Sequence, residues 1–309
     1  MDLPIIRTLT MTSMRLFSPS GVVPQAAALR LAVRRLRALG FAAELDDSAL
    51  ARHQRFAGDD DVRLEAVHRV ALLAPSIAMA TRGGYGLSRL LGRIDWPLLA
   101  RSVEQGTRWV GYSDFTALQM GLLAHTGATS WHGPSALDDF SRSEEAGGMD
   151  EITRDCFCEA MNGELEAVGF RTEAGFDGLA VRGVLWGGNL CVLTSLLGTP
   201  HWPRVKGGVL FLEDVNEHPY RVERMLLQLH EAGVLAQQKA VVLGAFTAWK
   251  PTPLDRGYSM KTMLAHVRSL TATPILTGMP FGHVPTKVSF PMGARVQLLV
   301  DGRDALIGW

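Results

Sequence analysis

Cysteine is scarce in this chain: three residues in 309, at Cys156, Cys158 and Cys191. That number cannot build a disulfide framework, and no second Cys pair completes a zinc quartet beside Cys156 and Cys158. Inert thiols in a reducing compartment are the expectation. Charge of one sign is missing as well, since 31 Lys and Arg balance 31 Asp and Glu. A chain without a large cationic field is poorly suited to binding nucleic acid through its phosphates. No apolar run approaches the length of a membrane span. The first fourteen residues show neither an apolar core nor a cleavage site of the secretory kind. The expectation is therefore a cytoplasmic protein without a membrane partner.

What is present is apolar side chain, 47% of the sequence against 20% charged, enough to offset chain entropy and exclude disorder. The length exceeds what one core usually supports, which predicts two domains. In the first half, strand and helix signals alternate. Arg15–Ser18 reads as a strand, and Pro24 opens a helix that Gly40 closes. Leu29, Val33 and Leu36 line one face of that helix, and Arg30, Arg34, Arg35 and Arg37 lie toward its C-terminal end, where the macrodipole favours cations. Phe41–Leu45, Ser76–Ala80 and Thr107–Gly111 read as strands. Helices are expected from Asp60, as cap, to Leu73, from Leu87 to Leu91, over Trp96–Glu104 and over Phe115–Ala124. This alternation predicts a parallel sheet covered by helices, a flavodoxin- or Rossmann-like domain.

Residues 138–178 are acidic and glycine-bearing and read as a linker with one or two short helices. The expected division is an extension over residues 1–14, with Met14 as an alternative start, an α/β domain over 15–137, the linker, and a mixed α/β domain over 179–309. In this last part Leu179–Leu185, Val209–Leu212 and Ala240–Phe246 read as strands. Pro219 opens a helix to Ala232, and Asp301-Gly302 marks a hairpin turn between Val296–Val300 and Arg303–Ile307.

Four segments carry possible chemistry. In Gly111-Tyr112-Ser113-Asp114-Phe115, Ser113 falls between a strand and a helix. That is the layout of a nucleophile elbow, although Phe115 replaces the usual glycine, and from this segment alone a plain helix cap is the favoured reading, since Ser before Asp at a helix start is very common. Arg82-Gly83-Gly84-Tyr85-Gly86 follows a strand and suits a phosphate cradle, an oxyanion hole or merely a tight turn. It has no P-loop lysine and no G-x-G-x-x-G. Glu213-Asp214, with Glu217 and His218 beyond, ends an apolar strand; a carboxylate there can orient a histidine or ligate a metal. Phe281-Gly282-His283 holds a histidine on a proline-flanked loop, with His132 as rival base.

Together with Trp186-Gly187-Gly188-Asn189-Leu190, Leu197-Gly198-Thr199-Pro200 and Leu212-Glu213-Asp214-Val215-Asn216-Glu217-His218-Pro219, these segments resemble the LD-carboxypeptidase family of serine peptidases. The resemblance runs from about Phe17 to about Val300. It implies a triad of Ser113 as nucleophile, Glu213 as orienting carboxylate and His283 as general base. It also implies an oxyanion hole from the backbone N–H groups of Gly84 and Asp114, with no metal and no cofactor. It further implies that the serine lies in the first domain and the other two members in the second, a mixed domain of swivelling or barrel-like type. The implied substrate is a murein tetrapeptide, free or linked to UDP-MurNAc, cut between diaminopimelate and terminal D-Ala for cell-wall recycling, by a homodimer. Two alternatives compete: a microcin C self-immunity peptidase of the same family, and a non-catalytic binder of nucleotides or wall peptides.

Overall fold

The computed structural model describes residues 11–309. Most of the expected extension, and of the stretch searched for a leader, falls on residues 1–10, outside the described residues, whereas Met14, the alternative start, lies within the first strand, Thr12–Phe17. The chain runs through β1 (Thr12–Phe17), α1 (Ala26–Ala38), β2 (Phe41–Leu45), α2 (Asp60–Leu73), β3 (Ile77–Ala80), α3 (Trp96–Glu104), β4 (Arg108–Gly111), α4 (Thr116–Thr126) and β5 (Ser130–His132). It continues through α5 (Glu151–Asn162), β6 (Ala167–Arg171), β7 (Ala180–Asn189), α6 (Leu190–Ser195), β8 (Val209–Val215), α7 (Pro219–Glu231), β9 (Ala240–Thr247), α8 (Met260–Leu270), β10 (Ile275–Thr277), β11 (Phe290–Met292), β12 (Arg295–Asp301) and β13 (Asp304–Gly308).

Two open sheets result. The first has the order β11-β5-β4-β3-β1-β2 and the second β10-β9-β8-β7-β12-β13-β6. In the first, β2, β1, β3, β4 and β5 pair in parallel, and only β11 is antiparallel. In the second, β7, β8, β9 and β10 are parallel, and β12, β13 and β6 form an antiparallel flap on β7. The second sheet is mixed and does not close into a barrel.

Local rules account for most of the elements. Helix α1 buries Leu29, Ala32, Val33 and Leu36 and presents Arg30, Arg34 and Arg37 to solvent. Arg35 instead donates to the carbonyl oxygens of Phe140 and Arg142, tying α1 to the loop beyond β5. The cap of α2 is Asp59, which accepts from Val62 N–H, one residue before the expected Asp60. Asp60 is engaged by Arg63 and Arg89. The expected helix at Leu87–Leu91 is replaced by two single 3-10 turns. There the Gly86 carbonyl accepts from Arg63 and the Leu87 N–H is taken by Asp114, so side chains satisfy groups that a continuous helix would pair. The hairpin loop is Gly302-Arg303, one residue later than expected, because Asp301 pairs with Asp304 and Gly302 takes the positive φ (58°) of the first loop position.

The acidic segment 138–178 contains more structure than loop and short helix. Helix α5 buries Phe157, Ala160 and Met161 against the outer face of the first sheet, with Phe41 and Phe140. Strand β6, which the sequence reading did not anticipate, is the edge of the second sheet. One apolar cluster runs through both sheets, from Phe17 and Trp109 to Phe211, Phe281 and Phe290. The last three pack edge to face, with centroids 5.1–5.6 Å apart. This aromatic plug sits two residues before Glu213 and two before His283, so it sets where both side chains emerge.

Candidate active site

The site forms where the carboxyl ends of β4 and β8 meet the loop joining β10 to β11. Ser113 follows β4 and opens the short turn that leads into α4. Its φ is +63°, and its side chain caps nothing. The hydroxyl instead meets His283 Nε2 at 3.1 Å. This is the geometry of an elbow, in which a strained backbone lifts a hydroxyl clear of the sheet. Gly83 explains part of how that posture is tolerated. A Cβ on Gly83 would lie 2.7 Å from both Cβ and Oγ of Ser113, so only glycine allows the two loops to approach this closely. Gly83→Ala is accordingly expected to lower turnover roughly 100-fold by displacing the hydroxyl, with kcat and melting temperature measured side by side.

Glu213 lies at an irregularity in the β8–β9 ladder, where the register shifts between Leu212 and Asp214. Such a bulge re-aims side chains. Adjacent carboxylates diverge here: Glu213 Oε2 accepts from His283 Nδ1 at 2.9 Å, while Asp214 turns to the start of α6 and accepts from Cys191 N–H. Asn189, facing Glu213 in the β7–β8 register, donates from Nδ2 to Glu213 Oε1 at 3.2 Å and to Asp214 at 2.9 Å. Asn189 stood in a quoted segment without an assigned role; the strand-end position opposite Glu213 was the only signal for it. Burial, and then the charge of Glu213, pushes the Asp214 carboxyl up to about 6. Asp214 thus holds the first turn of α6, which Asn189 caps through the Val192 N–H, and is no part of the Ser113–His283 contact.

Burial alone would push His283 down. Its hydrogen bond to Glu213 and that carboxylate's charge outweigh burial and hold the imidazole above its ordinary value. The Tyr112 ring packs 5.0 Å from the imidazole, and its hydroxyl donates to Asp138. His132, the rival base, is fully buried among Phe211, Phe281 and Phe290 and pushed down to about 4 by desolvation. It faces the Gly111 carbonyl and not Ser113. Gly188 is what leaves room for that ring, since a Cβ there would meet His132 Nε2 at 2.7 Å. Glu217 pairs with Arg221, and His218 stacks on Tyr220.

Gly84 follows Gly83 in the loop that abuts Ser113, and Asp114 follows the serine itself. The Asp114 N–H lies 3.3 Å from the Cβ position of Gly83, and neither N–H has a protein acceptor among the described residues. The Asp114 carboxylate points away, accepting from Ser20 Oγ at 2.7 Å and Leu87 N–H at 2.9 Å. It serves the frame of the turn and leaves its own N–H free for an oxyanion. A cleft of about 290 Å³ opens beside His283, lined by Tyr112, Asp138, Arg142, Pro285 and Lys287. A larger depression of about 550 Å³ on the β12–β13 flap, around Arg295 and Trp309, is lined by one carboxylate side chain, Glu166, and by no serine, threonine, cysteine or histidine. The smaller cleft is the one that His283 itself lines. Among the described residues no group of three or more His, Cys, Asp or Glu is arranged to hold a metal ion, and no helix is long and apolar enough to cross a membrane.

One segment departs from the expected division between domains. His283 rides on a crossover: β10 belongs to the second sheet, but β11, just beyond the histidine, pairs with β5 of the first. The imidazole is therefore anchored to both sheets.

Residues 14–133 match the LD-carboxypeptidase N-terminal domain, and residues 182–298 match the LD-carboxypeptidase C-terminal domain. A Bacillus subtilis (strain 168) protein named "Probable murein peptide carboxypeptidase" is 30% identical over 280 residues, covering 88% of this chain and 84% of its own. The "Murein tetrapeptide carboxypeptidase" of Pseudomonas aeruginosa is 30% identical over 283 residues, covering 87% and 88%. The crystal structure of muramoyltetrapeptide carboxypeptidase from Oxalobacter formigenes superposes with a TM-score of 0.87 at 39% identity, covering 96% of this chain and 99% of that one. With both domains matched in order and the likeness carried along nearly the whole sequence, the chain belongs to the LD-carboxypeptidase family of serine peptidases.

Proposed function

We propose that this carboxypeptidase hydrolyses the amide between diaminopimelate and the terminal D-Ala of murein tetrapeptides, free or linked to UDP-MurNAc, using Ser113, His283 and Glu213. The observation that carries the reading is the unbroken hydrogen-bonded chain from Ser113 Oγ through both ring nitrogens of His283 to a Glu213 carboxylate that is only 1% exposed. A serine hydroxyl is a poor nucleophile at neutral pH. As Ser113 Oγ attacks the carbonyl carbon, His283 Nε2 takes its proton. Glu213 holds the proton on Nδ1, fixing the reactive tautomer and stabilising the imidazolium. The N–H groups of Gly84 and Asp114 receive the oxyanion, each worth roughly 3–4 kcal/mol in the transition state. His283 then protonates the leaving amine of D-Ala. Water, deprotonated by the same imidazole, cleaves the ester left on Ser113. No step needs a metal or an organic cofactor.

The test is mass-spectrometric detection of D-Ala release from UDP-MurNAc-tetrapeptide, beside the L-Ala diastereomer and an aminoacyl-sulfamoyl adenylate. Release from the D-Ala substrate alone is expected, with EDTA leaving the rate unchanged. Turnover confined to the adenylate would replace the substrate, and inhibition by EDTA would bring a metal back into consideration. The family resemblance also supports a cytoplasmic location and a homodimer, which cell fractionation and sedimentation equilibrium would test.

A further inference from the structure

A buried ion pair stands just behind the imidazole. Lys287 Nζ donates both to Asp139 Oδ1 and to the carbonyl of Val284, the residue after His283. Lys287 and Asp139 are 3% and 2% exposed. The other oxygen of Asp139 accepts from Ser135 N–H at 2.8 Å. The turn carrying Asp139 is itself bonded to the end of β3, Ala136 N–H to the Ala80 carbonyl and Leu137 N–H to the Thr81 carbonyl. Beyond Thr81 lie Arg82 and the two glycines beside Ser113. A continuous polar frame thus leads from the glycine loop through Asp139 and Lys287 to the carbonyl of Val284, next to His283.

We propose that the Lys287–Asp139 pair is a positioning latch that clamps the histidine-bearing crossover to the serine-bearing sheet and so sets His283 Nε2 against Ser113 Oγ. The inference rests on the reading of His283 as the base. Other bonds hold the same crossover: Thr247 Oγ1, at the end of β9, donates to the carbonyl of His283 at 3.2 Å and ties it to the second sheet, while farther along Pro285 and Lys287 are bonded through their backbones to Thr153, and Thr286 through its side chain to Asp150. These last dock the segment on α5 and keep it folded. Lys287 Nζ is the group that links the carbonyl next to the histidine, through Asp139, to the turn bonded to β3. A buried charge is seldom kept for stability, since an apolar pair of similar volume usually serves that purpose as well. A role in geometry explains why one is kept here. Nothing in the sequence reading pointed to it, because the two residues lie 148 positions apart.

The experiment compares wild type with the double variant Lys287→Met/Asp139→Leu, in which no lone charge is left buried. Removing one partner alone risks unfolding. Four quantities are read: melting temperature, kcat and KM for D-Ala release, and the rate at which a fluorophosphonate labels Ser113, which reports the serine–histidine contact without peptide binding. The latch predicts a folded protein with melting near wild type, kcat lower by roughly 100-fold and KM within about twofold. Labelling slows in step with kcat. A folded double variant with wild-type kcat overturns the latch. So does a loss of activity that only follows the unfolded fraction. Ser113→Ala run alongside separates the two levels: if it still releases D-Ala, the site reading itself fails, and the latch with it.

Discussion

Ser113→Ala is expected to abolish D-Ala release, with kcat falling by as much as roughly 10⁶-fold, the scale of removing the serine from a triad that works as a unit. The fold should survive, because the hydroxyl bonds only to His283 and caps no helix. The backbone at this position allows a sharper form of the test. A side chain at φ +63° costs roughly 1–2 kcal/mol relative to glycine. Ser113→Gly should therefore be as inactive as Ser113→Ala yet more stable than wild type by about 1 kcal/mol, read by denaturant titration. A residue kept at a cost in stability and needed for turnover is what a strained nucleophile predicts. Residual hydrolysis in both variants would remove Ser113 from that role. Loss of stability in Ser113→Gly would remove the strain argument while leaving the chemistry open to the kinetic result.

The turn at Ser113 was legible in the sequence because it sits between strong signals, while the nucleophile's role there came from the family resemblance. An apolar strand before Ser113 and a long apolar helix after it leave little choice of turn. The helix faces of α1 and α7 were legible for the same reason: each repeats apolar residues at helical spacing over several turns. What could not be read were short elements whose meaning is a distant partner. Strand β11 is three residues with Pro291 at its centre and pairs with β5, itself three residues long. No periodicity exists over such lengths, yet this pairing pulls the histidine loop onto the first sheet. The choice of Glu213 over Asp214 was equally invisible locally. Both end the same strand, and the bulge that separates them is a property of the ladder with β9. Family resemblance singled out Glu213 and His283; the residues alone left Asp214, Glu217 and His132 in contention.

Glu213→Gln tests the part of the site that residue type alone could not assign. Wild-type Glu213 accepts at both oxygens, from Asn189 Nδ2 at Oε1 and from His283 Nδ1 at Oε2. A glutamine has one acceptor and one donor, so only one of those bonds survives. If the carbonyl faces Asn189, the amide N–H faces Nδ1 and drives the proton to Nε2, where it blocks removal of the Ser113 proton. A fall in kcat of about 10³- to 10⁴-fold is expected, with KM little changed. The pH profile supplies an independent reading. His283 acts as a base only when neutral, so activity is lost as pH falls through its pKa. Burial lowers that pKa, and the Glu213 bond and charge more than reverse it. The acid limb of kcat/KM in wild type should then lie above the ordinary imidazole value, and in Glu213→Gln it should move to lower pH even as the plateau drops. Asp214→Asn is the matched control: it alters the bond to the first turn of α6 and leaves the bond to His283 in place. Its limb should keep close to the wild-type position, and its rate should fall far less. An acid limb that shifts with Asp214→Asn and not with Glu213→Gln would transfer the orienting role to the neighbouring carboxylate.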